Sequence, residues 1–506
     1  MLTSFPEEWQ IVTGSEFVVD PKSDIVDGPF GSNLKASEYT YSGIPIARIQ
    51  NVKRFNFVDK NIRFVTTEKA EELHRHTFVR GDILITKLGD PLGLACEVPE
   101  SFDYGIIVAD LVRLRPNLKV CAKPYLIYLL NSDVVIKQIE THVKGTTRPR
   151  INLGVIRNLS LPLASLAEQK VIADKLDTLL TQVETTKARL ERIPEILKNF
   201  RQSVLAAAVS GKLTVEWREK FKPEMVDIAS ISKEQFSTGL TMGNFGKKMD
   251  KSPDISGDEN GKFVSHIAGW LPIRIGALCE CVVPNRDKPK SFSGGYHWLL
   301  TPNFDEQSIW IDYKEIESGL SEEEVITYRA KIIKPGNVIM TCVGRVGLSA
   351  VLEESSVINQ QLHAFKVNSH IKAEYLAYCV RANVEYYESK ATSTTVKYLN
   401  KTACNSLPIP LPTIEEQDEI IRRVEELFAF ADSIEQKTNA SLQRVNKLTQ
   451  SILAKAFRGE LTANWRAANP ELISGENSAE ALLVIIKNER AKLSQTKKGR
   501  GKSVEN

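Results

Sequence analysis

Apolar residues recur every seven positions along two long stretches of the chain. Steps of seven from Leu176 give Val183, Leu190, Leu197 and Val204; three residues after each lie Leu179, Thr186, Ile193, Phe200 and Ala207. A seam sustained in this way belongs to a helix that packs along a partner helix. The register returns 248 residues later as Val424, Ala431, Thr438, Val445 and Ile452, with Leu427, Ile434, Ser441, Leu448 and Lys455 on the second seam. Two long helices pairing with each other account for both stretches. A helix from about residue 166 to 208 would span roughly 60 Å at about 1.5 Å per residue. Pro194 inside the first should kink it or remove one hydrogen bond. Ser165 and Thr413 stand where N-caps belong, with Glu168 and Glu416 placed to close capping boxes, and Gly211 and Gly459 to stop the helices.

Ahead of each helix the pattern changes to short β-like runs punctuated by Gly, Pro and Asn, such as "GIPIARIQNV", "GDILITKLG", "GNVIMTCVG" and "GLSAVLEE". The helical parts belong to a longer repeat, because residues 152–218 align with 400–466 without a gap. Gln202–Arg218 and Gln450–Arg466 share 10 of 17 positions. So long a period argues for two half-molecules, since solenoid repeats run to about 20–50 residues. Within the β-rich parts only patches repeat: "GDILITKLGDPLG" (Gly81 to Gly93) with "GNVIMTCVGRVG" (Gly336 to Gly347), and "KGTTRPRIN" (Lys144 to Asn152) with "TSTTVKYLN" (Thr392 to Asn400). The frame is kept while the surface diverges.

The expected architecture is α+β: two β-rich domains joined by two long antiparallel helices forming a coiled coil, with a pseudo-two-fold internal repeat. The boundaries read as 1–163 for the first domain, 164–212 for the first helix, 213–265 for a polar flexible linker, 266–411 for the second domain, 412–458 for the second helix and 459–506 for a tail. In the tail, Asn477 to Leu493 suits a short amphipathic helix, followed by a disordered "SQTKKGRGKS" whose Lys497, Lys498, Arg500 and Lys502 read as a solvated basic end.

Composition adds little: 42% hydrophobic and 25% charged residues are ordinary for a soluble globular protein. A net charge of +3 means that nucleic-acid binding would need basic residues gathered on one face or supplied by a partner. Seven cysteines without dense spacing suit a reducing, cytoplasmic setting. Cys279 and Cys281 lack a second Cys/His pair at zinc-finger spacing, so they are expected to be core cysteines and no metal site is expected. The N-terminus has no basic-then-apolar leader pattern, and no run of about 18 apolar residues occurs. No phosphate-binding GxxxxGK[ST] loop, no methyl-transfer signature and no HExxH stands in the sequence, and the seven histidines form no evident triad, so no catalytic residue is expected.

Contacts to DNA are better represented. Lys35, Arg48, Asn51 and Arg54 flank a glycine turn and an apolar strand, while Lys144, Thr146, Thr147, Arg148 and Arg150 form a basic, hydroxyl-rich loop. Arg286, Lys288, Lys290, Arg345, Thr394, Thr395 and Lys397 are the candidates in the second domain. Arg and Lys suit phosphates or guanine, Asn suits adenine, and Thr suits phosphate or a thymine methyl.

The leads "LPLASLAEQKVIADKLDTLL" and "LPIPLPTIEEQDEIIRRVEELF", with the terminal "QSILAKAFRGELTANWR", resemble the specificity subunits of type I restriction-modification enzymes, most nearly an enterobacterial, type IA-like branch. The resemblance covers the whole architecture, although the β-rich domains match only in turns such as "DGPFGSNLK". It implies two target recognition domains, each reading one part of a split, asymmetric sequence in double-stranded DNA, with the helices as a ruler between them. It further implies docking of two methyltransferase (modification) subunits, which recruit restriction subunits. S-adenosylmethionine, ATP and Mg would be used by those partners, with no cofactor in this chain. Two other readings compete: a coiled-coil scaffold with two ligand-binding domains and no DNA role, and a single-chain enzyme that both recognises and methylates, against which the missing motifs weigh.

Overall fold

The computed structural model describes residues 5–89, 91–143, 149–227, 229–231, 267–285, 288–391 and 396–502, with side chains described to residue 495. The chain divides into two units, Met1–Leu190 with Ser441–Asn506, and Glu191–Ala440. Each unit therefore holds one β-rich domain, half of one long helix and half of the other.

In the first unit the strands are β1 (Gln10–Thr13), β2 (Ile25–Asp27), β3 (Ile44–Ala47), β4 (Arg63–Val65), β5 (Thr77–Val79), β6 (Ile83–Thr86), β7 (Ala95–Glu97), β8 (Tyr104–Ile107), β9 (Leu111–Leu114) and β10 (Ser160–Leu163). They form sheets in the orders β2-β9-β6-β7 and β4-β3-β8-β5, plus the two-stranded ribbon β1-β10. In the second unit they are β11 (Leu271–Arg274), β12 (Cys279–Val282), β13 (Tyr296–Leu299), β14 (Gly319–Leu320), β15 (Ile332–Ile333), β16 (Val338–Thr341), β17 (Ser349–Val351), β18 (Ser356–Ile358), β19 (Leu362–Val367) and β20 (Pro408–Leu411). Their orders, β12-β19-β16-β17, β14-β13-β18-β15 and β11-β20, repeat the first set strand for strand. Even the parallel pairs correspond, β3 with β8 and β13 with β18. Two domains whose sequences match only in patches thus share one topology.

The first pair of matching patches, Gly81 to Gly93 and Gly336 to Gly347, holds strands with no free face. Ile83 and Ile85 of β6 enter the core beneath the helices, whereas Leu84 packs against Ala47, Phe78 and Ile107 of the other sheet. Val338 and Met340 of β16 face the helical side, and Ile339 faces Leu299, Ile333 and Ile358. A strand buried on both faces reads as one continuous apolar run, which is why "ILIT" and "VIMT" are legible. The proline-rich leads to the helices are themselves strands, β10 and β20, and their prolines fall on two-stranded ribbons where a missing ladder donor is tolerated.

The long helices run over Leu166–Val209 and Ile414–Phe457, 44 residues each. In the first unit Ile172, Leu176 and Leu180 share a core with Leu453, Ala456 and Phe457; in the second, Val204, Leu205 and Ala208 share one with Ile420 and Val424. The start of each helix thus packs with the end of the other, which makes the pair antiparallel. Leu176, Val183, Leu197 and Val204 are buried, as are Val424, Ala431, Thr438 and Val445. The second seam is thinner, with Leu448 and Lys455 exposed. The first helix continues through Pro194.

The helix starts depart from the expected capping boxes. Ser165 and Thr413 do accept the backbone N–H of Glu168 (3.2 Å) and Glu416 (3.4 Å). The glutamate side chains, however, turn into buried polar clusters. Glu168 accepts from Trp9 Nε1 (2.8 Å), Thr462 Oγ1 (2.6 Å) and Arg466 (2.6 Å). Glu416 accepts from Trp270 Nε1 (2.8 Å), Thr214 Oγ1 (2.7 Å) and Arg218 (2.5 Å). Each arginine also lies over the tryptophan ring, at 5.8 and 5.4 Å from the centroids. Gly211 and Gly459 both adopt positive φ, and a Cβ on either would meet the arginine's guanidinium at about its contact limit or closer. The neighbouring glutamines repeat as well: Gln169 bonds Ala122 N, Val120 O and Ala164 O, and Gln417 bonds Lys372 N, His370 O and Pro412 O.

Two expectations about connecting segments change. Residues 213–221, the head of the expected flexible linker, lie in a 3-10 turn (Lys212–Thr214) and a helix (Val215–Phe221) that carry Thr214 and Arg218; the counterpart is Glu460–Thr462 with Ala463–Ala468. Most of the rest of that expected linker, 232–265, lies outside the described residues. The tail helix runs over Ala479–Lys502, through the segment expected to be disordered. Its Leu482 and Ile486 join the first unit's core, and Glu489 accepts from Asn117 and Lys119, both at 2.6 Å.

Candidate nucleic-acid interface

The two sequence patches shared by the domains begin 63 residues apart in the first and 56 in the second, yet they meet in the fold. In the first domain Leu88 bridges Arg150, and Ile151 N donates to Lys87 O at 3.1 Å. In the second, Val343 bridges Tyr398, Gly344 N donates to Lys397 O (2.8 Å) and Leu399 N donates to Cys342 O (2.9 Å). Below each junction Asn152 and Asn400 cap a short helix, accepting from Val155 N (3.0 Å) and Ala403 N (2.9 Å). The repeated asparagines therefore fix the base of a loop whose tip is free to vary. In each domain the glycine turn meets the described residues that follow the hydroxyl-rich patch, Arg150 and Ile151 in the first and Lys397 to Leu399 in the second.

Several candidate DNA residues gather there. Arg150 is exposed and bonds Asp110 at 2.5 Å. Arg345, also exposed, bonds Glu306 at 2.5 Å and holds that carboxyl below its ordinary value. Glu306 sits on a loop pinned by Arg381, which donates to the carbonyls of Asp305 (2.8 Å), Ser308 (2.6 Å) and Ser349 (2.9 Å). Lys397 is exposed and pairs with Glu388. Exposed ion pairs are worth about 0–1 kcal/mol, so these cations can exchange a carboxylate for a phosphate at little cost. Lys144, Thr146, Thr147, Arg148, Thr394, Thr395 and Arg286 lie outside the described residues.

The remaining candidates differ in how far the fold already engages them. Lys35, Lys288 and Lys290 are exposed. Arg48 is half-buried and donates to Asn61 O. Burial pulls the Arg54 guanidinium below its ordinary pKa, against the opposing pull of Asp133. Asn51 departs from its expected base-reading role: it is fully buried, its amide donates to Val58 O (2.9 Å) and Lys60 O (3.1 Å), and its carbonyl oxygen accepts from Arg48 N (3.0 Å). Its polar atoms are taken up in shaping the loop.

Some residues of the first domain, at the junction and away from it, are not among the sequence candidates. Lys87 is buried at the turn, with Nζ 2.9 Å from Asp27. Phe30, within the "DGPFGSNLK" turn, and Tyr41, stacked by Arg63 at 5.9 Å, are strongly exposed aromatics suited to base or sugar contact. Among the described residues one set of potential metal ligands converges, Cys342, His363 and Cys404, all buried.

Two copies of one β scaffold, carrying different loops on a shared pair of antiparallel helices, define a two-headed recognition protein. The chain belongs to the family of type I restriction modification DNA specificity domains, which matches residues 37–195 and 268–444. It is 36% identical to the EcoKI specificity subunit of Escherichia coli strain K12 over 98% of this chain and 99% of that one. It is 38% identical to the Escherichia coli EcoDI specificity subunit over 75% and 79%, respectively. In fold it is similar to a chain solved in work on complex assembly and conformational transition of the type I R-M system (TM-score 0.59, 17% identity, 90% of this chain and 99% of that one). The HsdS subunit from Thermoanaerobacter tengcongensis is similar too (TM-score 0.54, 18% identity, 91% and 99%). This protein is a DNA sequence-recognition subunit, and the reading of a scaffold without a DNA role is set aside.

Proposed function

We propose that each β-rich domain reads one half of a bipartite, asymmetric DNA target through its glycine turn and the adjoining loop. Arg150 in the first domain and Arg345 with Lys397 in the second contact DNA, together with Lys35, Lys288 and Lys290 and the loop residues 144–148 and 392–395. The long helices set the distance between half-sites and dock two methyltransferase subunits, through which restriction subunits join. Methylation, ATP-dependent translocation and cleavage reside in those partners along with S-adenosylmethionine, ATP and Mg, and this chain is non-catalytic.

One observation carries this reading: strand order and helix anchors are the same in the two domains, whereas the loops at equivalent junctions differ. Identical anchors suit equal partners; different loops suit different base sequences. Mapping methylated bases across the genome, in cells carrying the complete complex with and without this chain, tests it. Methylation of a split target only when the chain is present is the expected result. A continuous target, or methylation by the purified chain alone, overturns it.

A further inference from the structure

We infer that the second recognition domain contains a structural metal site of the Cys3His type, formed by Cys281, Cys342, His363 and Cys404. The four residues come from separate parts of the domain: β12, the residue following β16, β19 and the short helix Lys401–Ser406. All four are essentially inaccessible to solvent. Cys342 Sγ lies 3.8 Å from Cys404 Sγ, and His363 Nδ1 lies 3.3 Å from Cys404 Sγ. Cys281 adjoins Cys404 and His363, although its Sγ stands outside the set of ligand atoms from Cys342, His363 and Cys404 that lie within 4.8 Å of one another.

The Cys342–Cys404 and His363–Cys404 separations suit two edges of a coordination tetrahedron, and binding of the ion would draw the Cys281 side chain in as the fourth vertex. Zinc binds thiolate at about 2.3 Å and imidazole at about 2.0–2.1 Å, so tetrahedral geometry puts two sulfurs about 3.8 Å apart and sulfur and nitrogen about 3.6 Å apart. Three thiolates and an imidazole, buried and drawn from four separate elements, are the donor set that a d10 divalent cation such as zinc takes in a closed tetrahedral site. A spacing of 61, 21 and 41 residues between successive ligands leaves no local motif. The expectation of ordinary core cysteines holds for Cys279, and the convergence of Cys281 with three distant groups gives it a different role.

The equivalent place in the first domain supplies an internal control. Strand register pairs Cys281 with Phe365 and Met340 with His363, and in the first domain pairs Ile25 with Leu114 and Ile85 with Val112. By that register Cys281 corresponds to Ile25, His363 to Val112 and Cys342 to Lys87; the repeat offset matches Cys404 to Ile156. Ile25, Val112 and Ile156 lie together in an apolar core. The shared scaffold therefore does not require thiols or imidazole here. In the second domain Cys342 and Cys404 bracket the junction of the glycine turn with residues 396–399, so the ion would tie that junction to the sheet. This consequence for DNA reading rests on the proposed function; the metal site itself does not.

The test uses the full chain, expressed with zinc and purified under reducing conditions. Elemental analysis should give one zinc per chain. Exchange with cobalt(II) should produce the intense d–d bands and sulfur-to-metal charge transfer of a tetrahedral thiolate site. Cys404→Ser should lose the ion, His363→Cys should retain it with a shifted cobalt spectrum, and Cys121→Ala, which removes a buried thiol of the first domain, should leave metal content unchanged. Wild-type chain that holds no more zinc than Cys281→Ile/Cys342→Val/His363→Val/Cys404→Ile, and that shows no thiolate charge transfer with cobalt, overturns the site. Chain that binds zinc normally while Cys404→Ser leaves the methylated second half-site unchanged would spare the metal site and count against the role of that junction in DNA reading.

Discussion

Glu168 and Glu416 are each fully buried and each bonded by a tryptophan, a threonine and an arginine. Removing one partner of a buried ion pair leaves the other charge uncompensated, at a cost of about 3–5 kcal/mol. Glu416→Ala should therefore destabilise the second unit by about that amount, measured by chemical denaturation; a double-mutant cycle with Arg218→Ala should reveal strong coupling. A loss below about 1 kcal/mol, the value of an exposed pair, would mean that the cluster is solvated. Asn51→Ala should behave similarly, lowering the stability of the first domain through two orphaned carbonyls while leaving base preference intact. Arg345→Ala should do the reverse: unfolding is unchanged, binding by the complex weakens, and the slope of log K against log salt falls by about one unit for the phosphate that is no longer neutralised. Sequence alone could not separate Asn51 from Arg345, because both are polar residues a few positions beyond an apolar strand and only burial distinguishes them.

At the scale of elements, the heptad register announced both helices because a buried stripe at every seventh position has few other causes. The helix starts were read less well. Ser-x-x-Glu is the spelling of a capping box, but a buried arginine competes for the same carboxylate, and a charge-assisted bond in a dry setting is stronger than one to an exposed backbone amide. That arginine lies 298 residues away from Glu168, beyond the reach of any local pattern. Pro194 offers a test on the same helix. Its ring removes one main-chain bond from an exposed position, so Pro194→Ala should raise the stability of the helix pair by up to about 3 kcal/mol, seen as a higher melting temperature. Inserting seven residues near Ala188 in the first helix and near Thr438 in the second keeps the seam in register and lengthens the pair. The complex should then methylate a target with a longer spacer; an unchanged spacer would exclude the helices as its ruler.

For the whole molecule, the informative relation is the crossed one: each unit joins the start of one long helix to the end of the other, with the same glutamate, threonine, arginine and tryptophan at the seam. Each recognition domain is inserted in this frame between the strands of a ribbon, β1 with β10 or β11 with β20. Exchanging residues 14–159 with 275–407 would therefore preserve both ribbons, both clusters and the whole helix pair while transposing the two domains. If, under the proposed function, the repeat places the two domains two-fold about the helix pair, each reads its half-site inward on its own strand of the duplex. Transposition then yields the reverse complement of the original target, which is the same double-stranded sequence. The exchanged chain should methylate the same genomic sites as the parent. If the frame instead presented both domains in one sense, the half-sites would appear in reversed order on the same strand, and methylation would move to a new set of sites. Replacing residues 14–159 alone with those of a relative should alter one half-site and leave the other and the spacer as they were.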